Sequence, residues 1–212
     1  MRHRFDRISF ALYGPVAVAL AFVDFSLRPN AAYVVEHYIP GVLAGTYEAP
    51  FIYRPLAPLV VQSVVSLTGA DPLFAFEILR LLTLFAALVA FHVYLRAFFQ
   101  PASSLAATLA MGALLPLTFT NSWPVPGTYL ELALVSVGCL AVARHRDWLF
   151  AIVFVPALLN RETSVFLLLL WIAVRAKEWP LRRWGPRAAA FGAAGLAVSG
   201  GIRWFYGFRT YK

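Results

Sequence analysis

Charge is what this sequence has least of. Only 13% of its 212 residues are Asp, Glu, Lys or Arg, about half the share of an ordinary soluble domain. With 61% hydrophobic residues and a mean hydropathy of +0.72, the chain is too apolar to hide its hydrophobic side chains from water. Cysteine is nearly absent as well: Cys139 stands alone in an apolar run, which excludes an intrachain disulfide and a thiolate metal cluster. No P-loop, Gly-rich dinucleotide fingerprint, G-x-S-x-G elbow or H-E-x-x-H pair occurs, so soluble-cofactor chemistry and serine- or zinc-hydrolase chemistry have no support. Internal repeats are lacking, which counts against a transporter built from inverted halves. The excess of 18 basic over 10 acidic residues falls in short clusters between apolar runs. That is how cytoplasmic loops of membrane proteins look, and it argues against nucleic acid as a partner.

What is present is a series of apolar runs long enough for helices, so the expected fold is all-α: a polytopic membrane bundle of about seven segments. Residues 8–27 form a first span of about 20 residues, enough for roughly 30 Å of hydrocarbon. The basic MRHRFDR before it stays cytoplasmic, and without a small-x-small cleavage site the run reads as a retained anchor. Residues 28–78 then make a long outer loop. Within it, Asn30 is placed as a helix N-cap, and Tyr33, Glu36 and His37 share a face at i, i+3 and i+4. Pro40, Gly41, Gly45, Pro50, Pro55 and Pro58 bend the return. The run 55–69 is short for a crossing and is read as an interfacial helix, with Gln62, Ser63 and Ser66 on one side.

This choice orders the remaining spans as 79–99, 104–120 and 127–143, then a short hairpin over 148–174, then 188–205. Two arms of 11 or 12 apolar residues flank Asn160, Arg161, Glu162 and Thr163, and turning them into a hairpin keeps the RAKEWPLRRWGPR cluster cytoplasmic. All four basic clusters then share the cytoplasmic side, with the N-terminus; the C-terminus lies at the outer face. The expected location is a multi-pass position in a bacterial-type inner membrane.

A first span followed by an acidic outer loop, a Tyr-Arg-Pro-Leu-Ala-Pro return over 53–58, a short hairpin carrying Asn-Arg-Glu-Thr and seven segments overall resembles the conserved module of the GT-C superfamily. These are integral membrane glycosyltransferases that take sugars from polyprenyl-phosphate-type donors. The resemblance covers essentially the entire chain, without the C-terminal part with which such enzymes usually continue. It implies an acidic base or acceptor-positioning group in the first outer loop, for which Glu36 is the best match, with Asp24 and Glu48 as competitors. A second acid is often found after the third span; the nearest here is Glu131, one turn inside the fourth.

Glycosyl transfer needs a base at the acceptor hydroxyl and cations at the departing phosphate. Glu36 beside His37 fits the first role, against the plainer reading of a solvated loop carboxylate. Arg54, next to Tyr53, suits phosphate through its planar fork, or else anchors the loop among headgroups. Arg161 is a second donor-phosphate candidate at the Asn160 turn, unless Arg161 and Glu162 simply neutralise each other. Arg203 and Arg209, among Trp204, Tyr206 and Tyr211, meet a lipid phosphate or form an aromatic belt with snorkelling arginines. His92 reads as a helix-packing histidine. No metal site is expected from ligand spacing and no cofactor is firmly implied, although Glu36 and His37 can share a divalent cation with a donor pyrophosphate. The partners expected are membrane lipid, a polyprenyl-phosphate-linked sugar, and a second membrane subunit or further copies of the chain. Two rival functions stand beside glycosyl transfer: a non-catalytic membrane subunit binding lipid or protein, and a small transporter using Arg161 and Glu162.

Overall fold

The apolar runs fold as helices throughout. The computed structural model describes residues 2–27, 31–118 and 127–207, and among them there is no strand. Helix α1 spans Arg2–Leu27; a short α2 (Ala31–Tyr33) runs through a π-turn, Val34–Tyr38, into α3 (Ile39–Leu43). A 3-10 turn at Phe51–Tyr53 precedes α4 (Leu56–Thr68). Then come α5 (Pro72–Leu95), α6 (Pro101–Thr118), α7 (Thr128–Ala143) and α8 (Asp147–Asn160). A 3-10 turn at Glu162–Ser164 leads into α9 (Val165–Glu178), and α10 (Leu181–Tyr206) follows. The expected N-cap Asn30 and the segment 119–126 lie outside the described residues.

Local chemistry accounts for several boundaries. Asp71 caps α5 by accepting a 2.9 Å hydrogen bond from Phe74 N–H, and Pro72 occupies the first turn, where its missing donor costs nothing. Helix α5 therefore starts seven residues before the expected 79, and it takes in the Glu77–Arg80 pair at 2.8 Å. Gly69, at φ 69°, closes α4 in the left-handed conformation that glycine adopts without strain. Likewise α10 begins at Leu181 rather than 188, so the arginines of the basic cluster are helical.

By length and composition one helix among the described residues, Pro72–Leu95, is long and apolar enough to cross a bilayer. The apolar stretches of α1, α4, α6, α7 and α8 are shorter. At 14 residues, α8 and α9 are each about 21 Å long.

Helices α5 and α7 form the spine. They pack closely on each other, with α1 and α6 against α5, and α8 and α9 against α7; α10 covers α8 and α9. Both spine helices bury small residues, among them Ala75, Ala87 and Ala90 on α5 and Ala133, Ser136 and Ala141 on α7, which lets two backbones approach. Three buried clusters follow. One joins Tyr13 and Ala17 of α1 to Leu84 and Leu88 of α5 and Tyr129 of α7. Within it His92 is fully buried and shares a 2.7 Å hydrogen bond with Tyr13. A second packs Val34, Tyr38, Ile39 and Val42 of the loop against Val61 and Phe76. The third is the aromatic core of Phe150, Phe154 and Trp171.

Polar groups sort to the two ends of this bundle. At one end Arg175, with no solvent exposure, reaches Asp147 Oδ1 at 3.1 Å and Glu178 at 3.4 Å, and donates to the Val142 carbonyl at 3.3 Å. Asp147 also accepts from Trp171 Nε1 at 3.1 Å and pairs with Arg187 at 2.6 Å. One carboxylate thus ties α8, α9 and α10 together. Asp147→Ala leaves a buried guanidinium short of its main counter-charge and is expected to cost about 3–5 kcal/mol. Glu178→Ala, on the exposed side, should cost less than about 1 kcal/mol. Thermal unfolding of the purified variants reads both, and equal effects would refute the inequality.

Candidate functional site

The opposite end gathers the loop and the 160–164 turn. In the loop, Pro40 cannot donate to the Glu36 carbonyl and its ring would crowd that oxygen. The chain widens to a π-turn, and Ile39 N–H bonds Val34 O instead. Tyr33 still stacks on His37, at 4.9 Å between ring centroids and 9° between planes, while Glu36 projects into the open. The expected shared face is therefore kept for Tyr33 and His37. Tyr38 turns inward, edge-on to Tyr47, which in turn meets Phe51. Gly41 allows this close return, because a Cβ there would press on the Tyr47 ring.

Tyr53 and Arg54 end the following 3-10 turn. Tyr53 is buried and donates a 3.0 Å hydrogen bond to Gly207 O, and the Arg203 guanidinium lies 5.2 Å over its ring. The end of α10 is thereby fastened to the loop. Arg54 lies over Phe51 at 5.2 Å and reaches Glu162 at 3.6 Å. That is an ion pair without a hydrogen bond: Arg54 Nε and Glu162 Oε2 are buried atoms with no hydrogen-bond partner.

The turn is held from below. Asn160 is buried and its Nδ2 donates to Gly127 O at 2.9 Å. Gly127 has no room for a side chain, since a Cβ would overlap Asn160 Oδ1. Arg161 then extends (φ −160°, ψ 131°) and pairs with Glu131 Oε2 on the first turn of α7 at 2.7 Å. Thr163 makes a long 3.5 Å contact with the same carboxylate. Glu131 also lies within electrostatic reach of Arg54 and Glu162. Two basic and two acidic groups from three separate elements thus form one alternating cluster.

Tyr38 borders this cluster. Burial pushes its phenol up to about 12, while Arg54 and Arg161 pull the other way. Beside the cluster, a cleft of about 270 Å³ is lined by Leu115, Thr128, Glu131, Leu132 and Val135, of which Glu131 alone ionises.

The structure therefore brings Arg54, Asn160, Arg161 and Glu162 together, as neighbours of Tyr53 and Arg203. It corrects one expectation: Arg161 and Glu162 do not neutralise each other, because their side chains leave the turn toward different partners, Glu131 and Arg54. Asn160 is bound to backbone, so its amide acts as a fastening. Glu36 and His37 remain on the exposed π-turn. Arg209 and the side chain of Asp24 lie outside the described residues. Glu131 was visible in the sequence as the second acid, yet its partnership with Arg161 crosses 30 residues and has no local signature. Among the described residues no three His, Cys, Asp or Glu side chains converge to hold a metal. A cation shared with a donor pyrophosphate would draw only on Glu36 and His37.

No family model, curated protein or solved structure matches the chain.

The seating of the turn can be tested directly. Gly127→Ala forces Asn160 aside and should cost about 1–3 kcal/mol, read as a lowered thermal midpoint. Asn160→Ala placed in the same chain should recover part of that loss by removing the clash; no recovery would show that the overlap is not its cause.

Proposed function

We propose that this chain is a multi-pass membrane protein of GT-C type that transfers a sugar from a polyprenyl-phosphate-type donor at its outer face. The observation that carries this reading is the meeting of Arg54 from the first loop with Arg161 and Glu162 from the hairpin turn, above the first turn of α7. In the bilayer reading, α5 spans the membrane, and α1, α6, α7, α10 and the α8–α9 hairpin complete seven segments. Large apolar side chains left outward support it: Phe22, Leu67, Leu196 and Trp204 are each more than 70% exposed. So does the segregation of Arg144, Arg146, Lys177, Arg182, Arg183 and Arg187 to one end.

The chemistry follows from the charges. The acceptor oxygen attacks the anomeric carbon and forms the new glycosidic bond. Its proton passes to Glu36, and the bond to the donor phosphate breaks with its electron pair leaving on phosphate. Arg54 and Arg161 face that growing charge. Glu162 and Glu131 hold the two guanidiniums in place beforehand, and the unbonded Nε of Arg54 is a donor in reserve. The mostly apolar cleft beside Glu131 suits an amphiphile whose charged head meets the cluster.

A second reading has a specific observation behind it: both arginines already have carboxylate partners, as in a purely structural tie. A non-catalytic subunit that binds lipid or protein would need no more. Glu36→Gln separates the two. With purified, reconstituted protein and a polyprenyl-phosphate sugar, the variant should lose about 100-fold or more in kcat, and Arg54→Gln should weaken donor binding. Turnover equal to the parent's in Glu36→Gln would remove Glu36 from the chemistry, and no turnover by any form would favour the subunit.

Topology is tested separately. With Cys139 replaced, cysteines at Ser63 and Ser103, both exposed, should label from outside and inside respectively. Labelling of Ser103→Cys from outside would overturn the segment order.

A further inference from the structure

The end of the bundle opposite the 160–164 turn carries more positive charge than it can pair. Among the described side chains at this end, the carboxylates Asp147 and Glu178 are engaged by Arg175 and Arg187, with His145 Nδ1 also 3.2 Å from Glu178. Arg144, Arg146, Lys177, Arg182 and Arg183 are exposed, and among the described residues none has a carboxylate partner. One of these, Arg183, lies on Trp179. Three guanidiniums surround its indole, those of Arg183 at 4.4 Å, Arg175 at 4.9 Å and Arg187 at 5.2 Å from the ring centroid. Arg175 and Arg187 share Asp147, whereas Arg183 lies over the ring with no carboxylate partner among the described residues. The guanidinium of Arg183 therefore has charge to offer an anion on the open side of the ring.

What lies next to this rim identifies the anion. Trp148 and Ile152, one turn apart on α8, are 63% and 62% exposed, and Leu181 at the start of α10 is 67% exposed. A polyanion such as nucleic acid would leave these apolar side chains in water. A phospholipid covers both, with acyl chains along the apolar face and phosphate against the guanidiniums. Planar guanidiniums suit phosphate oxygens, and an indole suits the level of the headgroups.

We propose that Lys177, Arg182 and Arg183, exposed cations that flank Trp179 in the chain, form a binding site for the headgroup of an anionic phospholipid. This rests on the bilayer reading above but not on glycosyl transfer, so turnover equal to the parent's in Glu36→Gln, or no turnover by any form, leaves it untouched.

The test uses the full chain in nanodiscs of equal phosphatidylglycerol and phosphatidylcholine with matched acyl chains. Lipids that stay bound after mild detergent extraction are weighed by native mass spectrometry. The parent should retain phosphatidylglycerol several-fold over phosphatidylcholine. Enrichment should fall with each basic residue neutralised in Lys177→Gln and Arg183→Gln, to near parity in the double variant, and should fall with salt. Both positions lack carboxylate partners, so an unchanged thermal midpoint in phosphatidylcholine nanodiscs certifies the fold. Equal retention of the two lipids, or undiminished enrichment in the double variant, overturns the site. Displacement of the lipid by millimolar glycerol phosphate would show a free-phosphate site instead. A chain that does not enter nanodiscs overturns the bilayer reading and this proposal together, whereas equal retention overturns the headgroup site alone.

Discussion

The seating of residues 160–164 on the first turn of α7 is the contact on which the loop end of this protein depends. Two 14-residue helices leave a turn carrying a buried Asn, a half-buried Arg and Glu, and an exposed Thr. Each of these polar groups needs a partner, and the structure supplies one from elsewhere in the chain: Gly127 O for Asn160, Glu131 for Arg161 and Thr163, Arg54 for Glu162. Because those partners come from α7 and from the return of the first loop, satisfying the turn also fixes where the loop sits. The Tyr53 hydrogen bond to Gly207 then draws in the end of α10. A bland requirement, that low-dielectric charges be paired, brings four sequence-distant segments to one place.

The same requirement shapes the other end differently. There one carboxylate, Asp147, serves Arg175, Arg187 and the Trp171 indole, so the pairing is economical and cation-rich. At the loop end acids and bases alternate and come close to balance. The two ends of the bundle therefore present distinct chemistries: a compensated cluster beside an apolar cleft, and an uncompensated basic rim beside exposed tryptophan and leucine. A bound anion would have to compete with Glu131 and Glu162 at the first and would meet unpaired guanidinium at the second. That difference separates a site where charge can be redistributed from one where charge simply waits for a counter-ion.

Much of this was legible in residue order. The all-helical class, the bent loop and the turn at 160–164 follow from local rules of hydropathy and proline placement, which act over a few residues. Boundaries slipped where a helix could continue through polar residues: α5 reaches back to Pro72 and α10 to Leu181, because charged side chains on a helix end are tolerated as readily as in a loop. Glu36 and His37 stand out by composition, and the structure leaves them on an exposed turn, in the same loop as Arg54 but not part of the cluster.

What the sequence by itself determined was where helices form, which residues are polar enough to need partners, and that the basic clusters alternate with apolar runs. Only the tertiary structure decided the pairings. Arg161 and Glu162 are adjacent in the chain and look like a pair, yet with an extended residue at 161 their side chains pair with α7 and with the first loop respectively. Asn160 looks like a ligand and is a fastening, because Gly127 alone leaves space for its amide. Side-chain partners this far apart in the chain are set by how α8 and the first loop pack at the start of α7, and no local pattern encodes that packing.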